Sequence, residues 1–317
     1  MKLLLTGASG FVGGRFMERF AHTPGLALLG IGRRSLDMPG YRAIDLSQPF
    51  VLEDFAPDVV IHAAALSSPF APRHAYQRHN VETTARVVDW CRTHGLPKLI
   101  YVSSGAVQYQ PRDQFGIRED DPVGPRFANT YAETKAAGET LVRQYQGAWA
   151  ILRPRAVFGP GDTVLFPRLL AAAKRGSLPR ILRDGPPAQG DLISVDTLAD
   201  YLLRTAQRPE AVGVFNLSHG EPVAMHAFLA ELFRRLDLPQ PTREVPYRLA
   251  RLAAHAAELA WTVLPLRGEP PVTRFGIDVL SFSKTFDISH ARAVLGEPSQ
   301  SLAEGLDAFI DWQLAQA

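Results

Sequence analysis

The stretch TGASGFVGG, Thr6 to Gly14, decides the fold. It continues the apolar run KLLLT, Lys2 to Thr6, and opens at Phe11 into apolar residues at helical spacing. Gly7, Gly10 and Gly13 stand three apart between that strand pattern and that helix pattern. Each missing Cβ has a use there: a tight turn, close approach of a pyrophosphate, and close packing of helix on strand. The N–H groups at the helix start then face the phosphates. A strand, a glycine turn and a helix in this order predict a dinucleotide site, with Gly7, Ser9, Gly10, Phe11 and Val12 as contacts.

The same rhythm continues outward from the turn. Short apolar runs (LALLGIG, YRAID, VVIHAAA, KLIYVSS, WAILRP) alternate with helical patterns from Phe11, Val81 and Tyr131. Strands of a parallel sheet covered on both faces read as continuous apolar runs, so the prediction is an α/β, doubly wound parallel sheet of Rossmann-like type. After RPRAVFGPGD the chain turns to Pro- and Gly-punctuated helical patterns such as FPRLLAAAKRG and MHAFLAELFRRL. This predicts a dinucleotide-binding domain over 1–158 and a smaller, mostly helical substrate lobe over 159–317, with segments returning to the first domain.

Composition narrows the class. At 317 residues, with 46% hydrophobic and 21% charged residues, the chain is neither disordered nor a membrane bundle, and no transmembrane segment is evident. A net charge of +2 supplies no strong field for nucleic acid. The single cysteine, Cys91, lies in a helical pattern ending at Gly95 and reads as a buried thiol, which suits a reducing cytoplasm. No His, Cys and Asp grouping suggests a metal.

Two further stretches carry chemistry. The second strand pattern ends in Arg33-Arg34-Ser35, with no acid for ribose hydroxyls. Two guanidiniums suit a 2′-phosphate through charge-assisted hydrogen bonds, which favours NADP(H), with NAD(H) as the alternative. In NTYAETKAAGE, Tyr131 and Lys135 stand four apart and share a helix face. Such pairs also decorate solvated helices, so the spacing alone assigns no role.

The order TGASGFVG, DLS at Asp45, HAAA at His62, YVSSGAVQY at Tyr101, YAETK at Tyr131 and LRPRAVFGPGD at Leu152 resembles the extended short-chain dehydrogenase/reductases over nearly the whole chain. The resemblance implies that Tyr131 is the general acid and base. Lys135 lowers its pKa and holds the nicotinamide ribose, and Ser104 hydrogen-bonds the reacting oxygen. Ser103 is the alternative serine if a gap falls near Gly105. It further implies cofactor contacts at Asp45 and Leu46 near adenine, Ala63, Ala64 and Ala65 along the dinucleotide, Ser103, and Pro154 and Val157 near the carboxamide. Asn80 resembles a family asparagine that shapes the sheet around the site, with a helix cap as the other reading.

From Gly268 to Leu306 the P-P-x-x-T-R, F-D-x-x-x-A-R-x-x-L-G and E-G-L segments resemble the 3β-hydroxysteroid dehydrogenase and β-ketone reductase branch. That implies a hydrophobic alcohol or ketone as substrate, and a homodimer is common in such proteins. A sugar-nucleotide epimerase or dehydratase, or a non-catalytic NADP sensor, are the alternatives. Ala156 stands where sugar-nucleotide epimerases often carry asparagine. The stretch YRLARLAAHAAELAWTVLPL reads as a lobe helix, a lid, or a peripheral membrane contact.

Overall fold

The computed structural model describes residues 1–316 other than 69, 265 and 267, so Pro265 of the apolar stretch lies outside the described residues. A seven-stranded sheet forms the centre. From one edge its strands are Gly213–Leu217, Trp149–Pro154, Lys98–Val102, Val59–His62, Lys2–Thr6, Ala27–Gly32 and Tyr41–Ala43. All neighbours pair in parallel. Successive residues point to opposite faces, so Leu3 and Leu5 enter one core and Leu4 the other. Val59 and Ile61 against Val60, and Ala150 and Leu152 against Ile151, divide in the same way. Both faces are dry, which is why these runs show no polar alternation.

The chain first grows the sheet one way, from Lys2–Thr6 through Ala27–Gly32 to Tyr41–Ala43, then crosses to Val59–His62 on the other side. That reversal opens a crevice outside the carboxyl ends of the first and fourth strands, where such sheets take their ligands. Gly7 and Ala63 begin the two loops at this point. The helix expected from Val81 begins at Thr83, after a short helix Arg73–Tyr76 and a wide turn Gln77–Glu82. Cys91 is buried in it.

The remainder is a lobe whose core is Phe158, Phe166, Leu170, Phe228, Leu232 and Phe309 among others, with Phe158 and Phe166 edge-on to Phe228 and Phe309 or tilted to each other. It also contains a four-stranded sheet in the order Val223–Ala224, Gln189–Gly190, Lys284–Phe286, Gln114–Ile117. Strands this short are below the length at which a period-2 pattern is readable. The helix Tyr247–Val263 buries only Ala250 and Ala254 fully and leaves Leu249, Leu252, Leu259 and Val263 exposed. Among the described residues no helix is long and apolar enough to cross a membrane.

Candidate active site

A cleft of about 590 Å³ runs along the switch point. Gly7, Ser9, Gly10, Phe11, Arg33, Arg34, Asp45, Leu46, Ala63, Ala64 and Ala65 all line it. Gly7 has φ +74, and a Cβ there would lie 2.6 Å from the Ala64 nitrogen. A Cβ on Gly13 would lie 2.2 Å from the Gly7 carbonyl oxygen. Both positions demand glycine, one for the turn against the Ala63–Ala64 loop, the other for the helix against the turn. Val12 packs into the core beneath. This cradle fits a dinucleotide whose backbone contacts need bare peptide.

Arg33 and Arg34 are exposed, and neither guanidinium has a carboxylate partner among the described residues. Arg78 stands close by, with Nη2 donating to the Ser47 hydroxyl at 3.1 Å. The Ser47 N–H outweighs the opposing effect of burial and, with the Ser47 hydroxyl and then the charges of Arg33 and Arg78, holds the Asp45 carboxyl below its ordinary range. Arg78, His79 and Thr83 come from the wide turn and the helix after it, and Trp312 from the last helix, Leu302–Ala315. His79, Thr83 and Trp312 line the cleft beside the residues above. No local motif marks any of these four, because the fold alone brings them to the cleft.

The helix Thr130–Arg143 carries the other group. Asn129 caps it, Oδ1 accepting from the Ala132 N–H at 2.8 Å. Tyr131, Lys135 and Glu139 follow at intervals of four and share one face. Tyr131 is partly exposed, but its hydroxyl lies deep enough for burial to push the phenol up to about 12, while the neighbouring Ser104 hydroxyl pulls the other way. Burial outweighs that neighbour, so the phenol holds its proton at neutral pH. Lys135 is buried, with Nζ 4.0 Å from the centre of the Tyr101 ring, whose π face attracts the ammonium group. Burial brings Lys135 down to about 7, and the Glu139 charge opposes this.

The two serines part company. The Ser104 hydroxyl accepts from the Ala106 N–H at 3.2 Å and sits beside Tyr131, whereas the Ser103 hydroxyl donates to Glu139 at 2.6 Å. Glu139 also receives Nε and Nη2 of Arg153 at 2.8 and 2.7 Å. Arg153 is fully buried, and its Nη1 donates to the Glu119 carbonyl at 3.0 Å. Sequence reading gives Glu139 and Arg153 no role, since a carboxylate eight residues beyond a tyrosine carries no signal by itself.

Asn80 does not cap a helix. Its Oδ1 accepts from the Leu66 N–H at 2.7 Å and its Nδ2 donates to Thr134 Oγ1 at 3.0 Å, tying the HAAA loop to the Tyr131 helix. His62 is fully inside, 2.7 Å from Thr6 Oγ1 and 3.0 Å from Thr84 Oγ1, and burial holds its imidazole down to about 3. Thr6 Oγ1 also accepts from the Ala64 N–H at 3.2 Å, so His62 fixes the two loops rather than meeting a ligand. Pro154 ends its strand opposite Leu217, and Val157 pairs with Ile193. Ser103, Ser104, Tyr131, Lys135, Pro154 and Val157 do not line the cleft that holds the glycine turn. No group of metal-binding side chains occurs among the described residues.

Residues 3–218 match the NAD dependent epimerase/dehydratase family. The chain belongs to that family. It is 31% identical to the 2-alkyl-3-oxoalkanoate reductase of Stenotrophomonas maltophilia over 96% of this chain and 97% of that one. It is 29% identical to the decarboxylating sterol-4-alpha-carboxylate 3-dehydrogenase of Schizosaccharomyces pombe over 83% of this chain and 79% of that one. The solved structure of MoeE5 in complex with UDP-glucose and NAD matches at a TM-score of 0.76 and 23% identity, covering 100% of this chain and 99% of that one, which speaks to the fold. Family membership and these relatives make the protein an NAD(P)-dependent oxidoreductase of the β-keto reductase and 3β-hydroxysteroid dehydrogenase branch.

Proposed function

We propose that this protein uses NADP(H) to interconvert a secondary alcohol and a ketone on a hydrophobic small molecule. The observation that carries the reading is the Tyr131 phenol set beside the Ser104 hydroxyl, on the helix face that also bears Lys135. The nicotinamide group supplies the hydride. The residues of the chain do the rest. Tyr131, protonated at neutral pH, gives its proton to the carbonyl oxygen in reduction and takes it back in oxidation. Ser104 holds that oxygen, and Lys135 offers the ammonium group expected to hold the ribose and to favour phenolate. Gly7, Ser9, Gly10, Phe11, Asp45, Leu46 and Ala63 to Ala65 would hold the dinucleotide. Arg33, Arg34 and Arg78 would form a basic rim for a 2′-phosphate, which is why NADP(H) is preferred here to NAD(H).

The relatives' names suggest the substrate class. A 3-oxoalkanoate has its ketone one carbon from the carboxylate-bearing position, and a sterol-4-carboxylate dehydrogenated at position 3 has the same neighbourhood. A β-keto or β-hydroxy acid with an apolar body is the reading this favours. A cytoplasmic homodimer goes with it.

Incubation of the protein with NADPH and a panel of 2-alkyl-3-oxoalkanoates and 3-oxosteroids tests the proposal. One NADPH consumed per carbonyl reduced is expected. Tightly held cofactor with no net consumption, together with epimerisation of a UDP-sugar, would replace it by the epimerase reading. No turnover of either kind would leave the sensor reading.

A further inference from the structure

Arg155 follows Pro154 at the carboxyl end of the strand beside the one that leads into Ser104. Its side chain is buried, with 3% of its surface exposed. Among the described residues Nε and Nη2 have no hydrogen-bond partner. These two donors lie on one edge of the guanidinium plane and form the fork that receives a carboxylate in two parallel hydrogen bonds. The neighbours of the fork are apolar or bare. The guanidinium carbon lies 5.0 Å from the centre of the Tyr109 ring, and Gly190 stands alongside, where any Cβ would be 3.7 Å from Nη2.

A second cation shares this place. Lys284 is buried with Nζ 5.8 Å from the same Tyr109 ring, donating to the Arg112 carbonyl at 2.5 Å. Asp191 is a buried acid that feels the charge of Arg155, yet among the described residues no carboxylate oxygen comes within 4.0 Å of the guanidinium. Asp191 Oδ2 accepts from the Phe286 N–H at 2.6 Å, and Oδ1 is unpartnered. The Phe286 ring packs on Gly105, so close that a Cβ there would lie 2.3 Å from Cζ, and Gly105 follows Ser104 directly. Asp191 balances part of the charge but lies beyond hydrogen-bonding reach, so Nε and Nη2 are sealed from water without acceptors, a cost that an acceptor carried by a ligand removes.

We infer that Arg155, backed by Lys284, is the specificity residue that receives a carboxylate carried by the substrate. This rests on the proposed alcohol and ketone chemistry and adds the residue that would select an acid over a neutral ketone. The carboxylate takes both Nε and Nη2, and the proton and hydride transfers at the neighbouring carbon stay with Tyr131 and the nicotinamide.

The test compares a 2-alkyl-3-hydroxyalkanoic acid with its methyl ester, each oxidised with NADP⁺, in the wild type, Arg155→Met and Arg155→Lys. Esterification removes the charge and keeps the reacting carbon. The wild type should prefer the acid in kcat/KM by on the order of tenfold to a hundredfold, the worth of hydrogen bonds to a charged group. Arg155→Met should bring the ratio close to one, and Arg155→Lys, which keeps the charge and loses the fork, should fall between. A wild type that treats acid and ester alike overturns the inference without any variant, and so does an unchanged ratio in Arg155→Met. Should Arg155→Met fail to fold, the wild-type and Arg155→Lys ratios decide.

If neither compound is oxidised, the redox reading fails separately, and calorimetric titration of the same acid and ester reads the anchor alone. Acid binding that weakens in Arg155→Lys supports it, and equal binding of acid and ester overturns it. Arg155-dependent binding of UDP-glucose, with none of the acid, would assign the fork to a phosphate and overturn the carboxylate.

Discussion

Arg33 shows how much one side chain decides. It ends a strand whose neighbour, Arg34, is equally free of acids, and its charge reaches Asp45 across the cleft. An acid at that tip would hydrogen-bond two ribose hydroxyls and repel a 2′-phosphate, while a guanidinium does the reverse. Arg33→Gln should therefore lower the preference for NADPH over NADH by roughly tenfold to a hundredfold, the range for losing hydrogen bonds to a charged group. Fluorescence titration of both nucleotides measures this, and an unaltered ratio of dissociation constants would remove Arg33 from the phosphate. The residues readable in the sequence were those with a local geometric demand: the glycines, the arginine pair, and the tyrosine and lysine on one helix face. Arg78, Asp191 and Trp312 carry no such mark, because their positions follow from loops meeting across the fold.

At the scale of the element, the helix Thr130–Arg143 is the part on which the site depends. Its outer end is held by the Asn129 cap and by Arg73, whose Nη1 and Nη2 donate to Glu133 at 3.0 and 2.5 Å. Its inner face is fixed by Glu139, which gathers Ser103 and Arg153 from two neighbouring strands. The pair lies out of water, so losing one partner leaves the other buried and uncompensated. Glu139→Gln should lower the unfolding free energy by about 3 to 5 kcal/mol, the usual loss when a buried pair is broken. Urea unfolding reads this, and a loss under about 1 kcal/mol, the scale of an exposed pair, would show the network to be solvated. The helix Tyr247–Val263 is the opposite case. Its apolar letters suggest burial, but it turns alanines toward the core beside the helix Arg274–Ser281 and keeps its leucines outside. Hydrophobic content alone does not tell which face of such a helix is covered.

For the whole molecule, the legible part was the sheet. Its strands are apolar without alternation because both faces are dry, and the glycine turn says which strand comes first. The strand Gly213–Leu217 returns from the second half to complete the sheet beside Trp149–Pro154, and Arg15 and Arg19 of the first helix reach Asp196 of the helix before it at 2.7 and 3.1 Å. These ties across 181 and 177 residues hold the glycine turn's helix against the later segment, and nothing local announces them. The small sheet that seats Arg155 was invisible for the same reason, since its strands have two to four residues each.

The central claim is that Tyr131 exchanges the proton while a nicotinamide exchanges the hydride. Its most direct test is Tyr131→Phe, assayed for reduction of a 2-alkyl-3-oxoalkanoate alongside a titration of NADPH binding. A fall in kcat of about a hundredfold to ten-thousandfold, the usual worth of a general acid, with the NADPH dissociation constant within a few-fold of wild type, is the predicted result. Reduction that continues at the wild-type rate with phenylalanine in place of the phenol would contradict it.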